Sequence, residues 1–283
     1  MTVLSTDNYL DGVLVLNESL RRCEASYRLH VVVGSNVGGA ARDTLARAGL
    51  PRIDSPPLDI PEEIVRSNLR SDAHRHWSGV FEKLHVFSLC QFAKVVYLDS
   101  DMLVLKNIDH LFEKRHMSAV LADRYPGNEE CIDLNAGLMV IEPERGLTER
   151  LITSVPEVFE QEKQWRAAAG RPPSMGVQSV INTFWRGWIS KPELQLEAKY
   201  NVLTDHLDYY VRRLGYKWRG PDGIHVLHFI GEVKPWMFTG VDRLRRPARL
   251  PVRRRVWETA AFIAYMAALG SARLHLRRTP ALR

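Results

Sequence analysis

Cysteine is scarce in this chain: Cys23, Cys90 and Cys131 are the three in 283 residues. An odd count with no CxxC spacing excludes a disulfide framework and a thiolate zinc site, and fits a reducing compartment. Met1 to Leu10 lacks a basic start followed by an apolar run, so no export leader is expected. The expected location is the cytoplasm or its membrane face. The apolar run near the C-terminus, Ala260 to Gly270, is shorter than the roughly 20 residues that span a bilayer. Internal repeats and low-complexity tracts are absent. So is a glycine-rich phosphate loop near the N-terminus, which disfavours a nucleotidyltransferase.

What is present is an ordinary globular composition, 45% hydrophobic and 25% charged. The formal charge of +6 is unevenly spread. Eleven arginines against one acid, Glu258, follow from Arg243 onward, which leaves residues 1–242 slightly acidic. The basicity belongs to the C-terminal segment. No recognition motif accompanies it, so a nucleic-acid partner is not expected.

Short apolar runs alternate with helical patterns over the first two hundred residues, the signature of an α/β domain. Val3-Leu4, Leu29 to Val33, Lys94 to Leu98, Met102 to Leu105 and Ala136 to Ile141 read as strands. Tyr9 to Arg22, Asn36 to Ala48, Gly79 to Phe92 and Glu157 to Ala169 read as helices. The prolines between Pro51 and Pro61 predict a loop or extended connection.

The chemistry concentrates at Leu98-Asp99-Ser100-Asp101-Met102, where two acids at i and i+2 follow an apolar strand. Ligand sites of α/β sheets lie at strand carboxyl ends. Two carboxylates there can share a hard divalent cation such as Mn²⁺ or Mg²⁺, which bridges to substrate phosphates and neutralises a leaving diphosphate. On spacing alone, a solvated Asp-Ser-Asp turn explains the same residues.

Context decides between them. The stretch Lys94 to Asp109 resembles glycosyltransferase family 8. His228-Phe229-Ile230-Gly231-Glu232-Val233-Lys234-Pro235-Trp236 resembles the family's HFxGxxKPW signature, and Leu134-Asn135-Ala136-Gly137 is similar to its asparagine-glycine segment. Thr6 to Gly12 matches its opening strand-to-helix turn. The four segments occur in the family's order across residues 2 to 240.

The resemblance implies a GT-A fold: a Rossmann-like mixed sheet flanked by helices over residues 1–240, with an Arg-rich helical extension over 241–283. It implies a retaining transfer of a hexosyl unit from a UDP-sugar to a glycan, lipid-linked or small-molecule hydroxyl. Asp99, Asp101 and His228 are the implied metal ligands, Mn²⁺ or Mg²⁺ the implied ion. Leu4, Thr6 and Tyr9 are implied for the base. Lys83, Ser100, Gly231 and Lys234 are implied for the donor sugar or diphosphate, with Lys234 as a point charge. Asp123, Asn135 and Gln178 are implied at the sugar and the reacting carbon. Family members that glycosylate a tyrosine of their own place it where Asp208 stands here, just before Tyr209 and Tyr210, so self-glycosylation is not expected.

One departure stands out. Where the family has an acid before the glutamine of a D-Q-x-x-x-N segment, this chain has Val177-Gln178-Ser179-Val180-Ile181-Asn182. That supplies a second reading, a weak or silent nucleotide-sugar-binding relative. The C-terminal run, flanked by Arg253-Arg254-Arg255 and by Arg273, Arg277 and Arg278, fits either a helix lying on an anionic membrane or one packed on the domain.

Overall fold

The computed structural model describes residues 1–70, 75–122, 131–218, 220, 222–238 and 252–278. Strands β1 (Thr2–Leu4), β2 (Val31–Val33) and β3 (Arg52–Asp54) form a parallel sheet in that order. Helices α1 (Leu10–Arg22) and α2 (Gly39–Arg47) make its crossovers, and α3 (Glu62–Arg70) follows β3. β1 and β2 are wholly buried, as parallel strands covered on both faces require. A second sheet runs β4-β7-β6-β8, from β4 (Val95–Leu98), β6 (Ser118–Leu121), β7 (Leu134–Ile141) and β8 (Gln195–Leu196). The Met1 amine donates to Val96 O, and Leu98 N donates to Met1 O. Those two bonds set the chain start beside β4 and join the sheets.

The third sheet positions the chemistry. β10 (Val226–His228) lies between β5 (Met102–Val104), antiparallel, and β9 (Val202–Leu203), parallel. The register sets His228 opposite Met102, one residue beyond Asp101. Sequence neighbours of the acid pair and a histidine more than a hundred residues away therefore meet at one strand end.

Three elements differ from the sequence reading. β3 arises inside the proline-rich connection, because Val31–Val33 offers a free parallel edge that Arg52–Asp54 completes. The segment before β4, Arg75–Ser88, is a 3₁₀ helix and not an α-helix. Its tighter winding carries Lys83 inward while Phe81, Leu84 and Phe87 stay in the core. Helix α4 spans Leu147–Ala168, ten residues longer at its start than the pattern after Pro156 suggested. Packing of Leu151, Val155, Val158 and Phe159 carries it through that proline.

The C-terminal segment forms a helix, Val252–Arg278, that packs back on the domain. Ala261, Phe262, Tyr265, Ala268, Leu269 and Ala272 are buried, and the Tyr265 ring stacks on Trp236 at 5.8 Å. Of the two arrangements read from the sequence, the structure shows the helix packed on the domain, with most of the apolar run on its interior face. No described helix is long and apolar enough to cross a membrane. Its anchor is Glu18 of α1, which accepts from Arg21, Arg22 and Ser271 and lies 3.2 Å from His275. Arg273 pairs with Asp11 at 2.7 Å.

Burial alone would raise the Glu18 pKa, but the hydrogen bonds from Arg21, Ser271 and Arg22 pull it down to about 2. A carboxyl with a depressed native pKa stabilises the fold above its unfolded pKa, and that contribution disappears as pH falls from about 4.5 towards 2. Because Arg21 and Arg22 are largely exposed, screening limits the effect. Glu18→Gln is expected to cost about 1–2 kcal/mol in urea unfolding at pH 7 and to flatten the acid limb of stability. An unchanged pH 7 midpoint would remove the clamp from the account.

Candidate active site

A cavity of about 720 Å³ opens at the carboxyl ends of β1 and β4. Its centre is the turn Asp99-Ser100-Asp101, with Ser100 and Asp101 buried. Each carboxylate has one oxygen taken by a lysine. Lys83 Nζ lies 2.8 Å from Asp99 Oδ1, which also accepts from Tyr97 Oη at 2.6 Å. Lys234 Nζ donates to Asp101 Oδ2 at 2.7 Å and to the Phe229 carbonyl at 2.9 Å. The other oxygens face His228: Nε2 lies 3.2 Å from Asp101 Oδ1 and 3.9 Å from Asp99 Oδ2. Ligand atoms of the three residues lie within 4.8 Å of one another.

That donor set suits a hard or borderline divalent ion. His228 Nδ1 lies 2.9 Å from Asn201 Oδ1. In the tautomer whose Nδ1–H donates there, Nε2 turns its lone pair to the acids. Asn201 in turn donates to Asn135 Oδ1, which also accepts from Gly137 N. A buried chain thus runs from the histidine to the asparagine expected at the sugar. Gly137 is required by closeness: a Cβ there would come within 2.7 Å of the His228 ring and 2.9 Å of Asn135 Oδ1.

Burial would raise the Asp101 carboxyl, but the charges of Lys234 and His228 hold it well below its ordinary pKa. Burial and the two aspartates push the Tyr9 and Tyr97 hydroxyls up, so both stay protonated donors.

The remaining expected residues divide clearly. Thr6, Tyr9, Ser100, Gly231, Asn135 and Gln178 line the cavity. Tyr9 packs edge-on to Trp236, whose Nε1 donates to Asn8 O, so the KPW segment braces the opening turn. Gly231 holds φ +89°, a conformation open to glycine. Leu4 does not reach the wall: its side chain is in the core and its carbonyl accepts from Gly34 N. Val3 and Ser5 line the cavity in its place. Asp123 lies outside the described residues. Helix α5 (Val177–Phe184) is stitched to β7 by Gln178, whose Oε1 accepts from Ala136 N, and by Asn182, which bonds both backbone groups of Leu134. Val177 is buried at its start. Asp208 pairs with Arg212 on the surface helix α6 (Leu207–Arg212), and Tyr210 beside it is buried.

The family description "Glycosyl transferase family 8" matches residues 1–240. The chain belongs to glycosyltransferase family 8. It is 30% identical over 237 residues to glycogenin-1 of Caenorhabditis elegans, covering 83% of this chain and 50% of that protein. It is 31% identical over 241 residues to glycogenin-1 of Oryctolagus cuniculus, covering 84% and 65%. The chain therefore spans between half and just under two thirds of these relatives. Among solved structures, the galactosyltransferase LgtC with donor and acceptor sugar analogues superposes with a TM-score of 0.56 at 16% identity, over 96% of both chains. The glycosyltransferase GlyE of Streptococcus pneumoniae gives 0.53 at 20%, over 95% of this chain and 62% of its own. These likenesses establish the GT-A fold of the family 8 chain.

Sequence reasoning missed Asn201, Tyr97 and the α4 residues Glu162, Trp165 and Arg166, which also line or brace the cavity. None sits in a telling spacing; Asn201 caps a short 3₁₀ turn and immediately precedes β9, which pairs with the histidine strand. Replacing Asn201 by Leu is expected to weaken divalent-metal affinity about 10–100-fold while leaving the fold intact. Mn²⁺ titration of purified variant and parent checks this, and equal affinities would rule out the brace.

Proposed function

We propose that this family 8 chain is a retaining, metal-dependent hexosyltransferase that uses a UDP-sugar donor and a hydroxyl acceptor. The observation that carries the proposal is the convergence of Asp99 Oδ2, Asp101 Oδ1 and His228 Nε2 beside Lys83 and Lys234. On this reading residues 1–240 are the catalytic domain and 241–283 a helical buttress. Mn²⁺ or Mg²⁺, held by Asp99, Asp101 and His228, supplies Lewis-acid neutralisation of the leaving diphosphate.

The chain's own groups supply the rest. Lys234 and Lys83, now on the aspartates, are placed to stabilise negative charge on the departing phosphate. Thr6 and Tyr9 flank the nucleoside end, where a flat partly apolar ring suits uracil. Ser100 and Gly231 border the diphosphate. Asn135 and Gln178 keep their oxygens on backbone and partner amides, which leaves their NH₂ groups as donors for sugar hydroxyls. In the transfer the anomeric carbon–oxygen bond to diphosphate breaks and a bond to the acceptor oxygen forms. The acceptor proton passes to the departing phosphate, on the same face, which gives retention.

Val177 motivates a second reading, a silent nucleotide-sugar-binding relative. The intact carboxylate and lysine arrangement, and the undisturbed seat of α5 on β7, count against it. A panel of UDP-sugars with Mn²⁺, scored by UDP release, separates the two. Asp101→Asn is expected to abolish metal-dependent donor binding, at a cost of at least about 100-fold in affinity. Unchanged Mn²⁺-dependent binding by that variant would refute the metal role.

A further inference from the structure

Helix α4 turns three residues into the same cavity from one face, Glu162, Trp165 and Arg166, at i, i+3 and i+4. The metal and nucleotide assignments use none of them. Trp165 is 59% exposed, a large flat apolar ring left open at the cavity wall. Of its two neighbours Glu162 is held by a short hydrogen bond and Arg166 lies within ion-pair distance of it. Glu162 Oε1 accepts from Ser179 Oγ at 2.6 Å, and Oε2 lies 3.7 Å from Arg166 Nε. Ser179 is the residue after Gln178, so this face adjoins the wall expected at the reacting sugar. The Arg171 guanidinium sits 6.0 Å from the Trp165 ring centre.

An aromatic plate beside a held carboxylate and a guanidinium fork matches the two chemistries of a pyranose. Its C–H face packs on an aromatic ring, and its hydroxyls, each both donor and acceptor, bridge carboxylate and guanidinium. An acyl chain would meet Glu162, Arg166 and Asp133 along the same wall, where nothing repays their desolvation.

We propose that this face of α4 is the acceptor subsite and that the acceptor is a carbohydrate, its terminal ring lying on Trp165. The proposal rests on the UDP-sugar reading above, which requires a second substrate in the cavity. The acceptor hydroxyl bonds to the anomeric carbon, UDP leaves with the former glycosidic oxygen, and the hydroxyl proton leaves with UDP. No other reactant is needed.

The test uses the full chain with Mn²⁺ and UDP-glucose or UDP-galactose, following UDP release. Methyl glycosides, maltose, lactose and short glucans are compared with a tyrosine peptide and a long-chain alcohol in detergent. A saccharide is expected to raise release above the rate with water alone. Trp165→Ala is expected to raise the KM for that saccharide about 10-fold or more, with Trp165→Phe recovering most of it. Glu162→Gln raises the same KM, and UDP–Mn²⁺ affinity, read by calorimetry, stays unchanged in all three variants. Stimulation only by the peptide or the alcohol, by nothing in the panel, or an unaltered KM in Trp165→Ala, overturns the subsite. Absence of Mn²⁺-dependent UDP binding in the parent chain overturns the donor reading itself, and the subsite with it.

Discussion

Two carboxylates within reach of one imidazole repel each other, and burial sharpens the repulsion. The centre of this structure is the device that tolerates it. Lys83 and Lys234 each take one oxygen of one aspartate, leaving the remaining oxygens turned towards His228. The two lysines come from distant segments and each needs its own support. Lys83 also donates to the Ala136 carbonyl at the start of β7, and Lys234 to the Phe229 carbonyl past the end of β10. Much of the fold can be read as the means of bringing those supports together. The β5–β10 register delivers His228, the 3₁₀ segment delivers Lys83, and the C-terminal helix backs Trp236, which follows Lys234 by two positions.

The charge pattern fits the chemistry assigned to it. The two aspartates and the two lysines cancel. A divalent ion alone would bring two uncompensated positive charges into a buried site, and a nucleotide diphosphate alone two negative ones. Together they cancel as well. On the proposed function, a site balanced in this way would favour joint binding of ion and donor over either one singly. The Asn201–Asn135 link extends the arrangement along the cavity wall, since the amide bonded to His228 also holds the asparagine beside the cavity.

How much of this was readable beforehand follows from range of interaction. Asp99, Asp101, His228 and Lys234 lie in compact segments whose residue order resembles a family, and the structure brings those segments together. The strands were legible because Val31–Val33 and Val95–Leu98 are continuous apolar runs with turn residues after them. Three things were not legible. β3 depends on a neighbouring edge and not on its own composition, since Arg52 and Asp54 are exposed. The winding of Arg75–Ser88 depends on packing that the apolar period does not encode. Asn201, Tyr97 and Glu162 act through single hydrogen bonds to partners in other segments, for which spacing along the chain holds no signal. Leu4 stands apart from these: its side chain packs in the core, so only its backbone is available to a ligand.

Position 177 shows why substitution at a site position is not the same as loss of the site. The side chain there is buried at the first turn of α5, and valine fills that space with no unpaired polar group. Gln178 and Asn182 still bind β7, so the helix keeps its seat. What the wall lacks at 177 is a charged acceptor, and α4 places one nearby: Glu162, fixed by Ser179 two residues along. Helix α4 is also the element that brings Trp165 and Arg166 to the cavity. The departure at 177 thus leaves the seat of α5 intact, and the charged groups that face the cavity beside it come from α4.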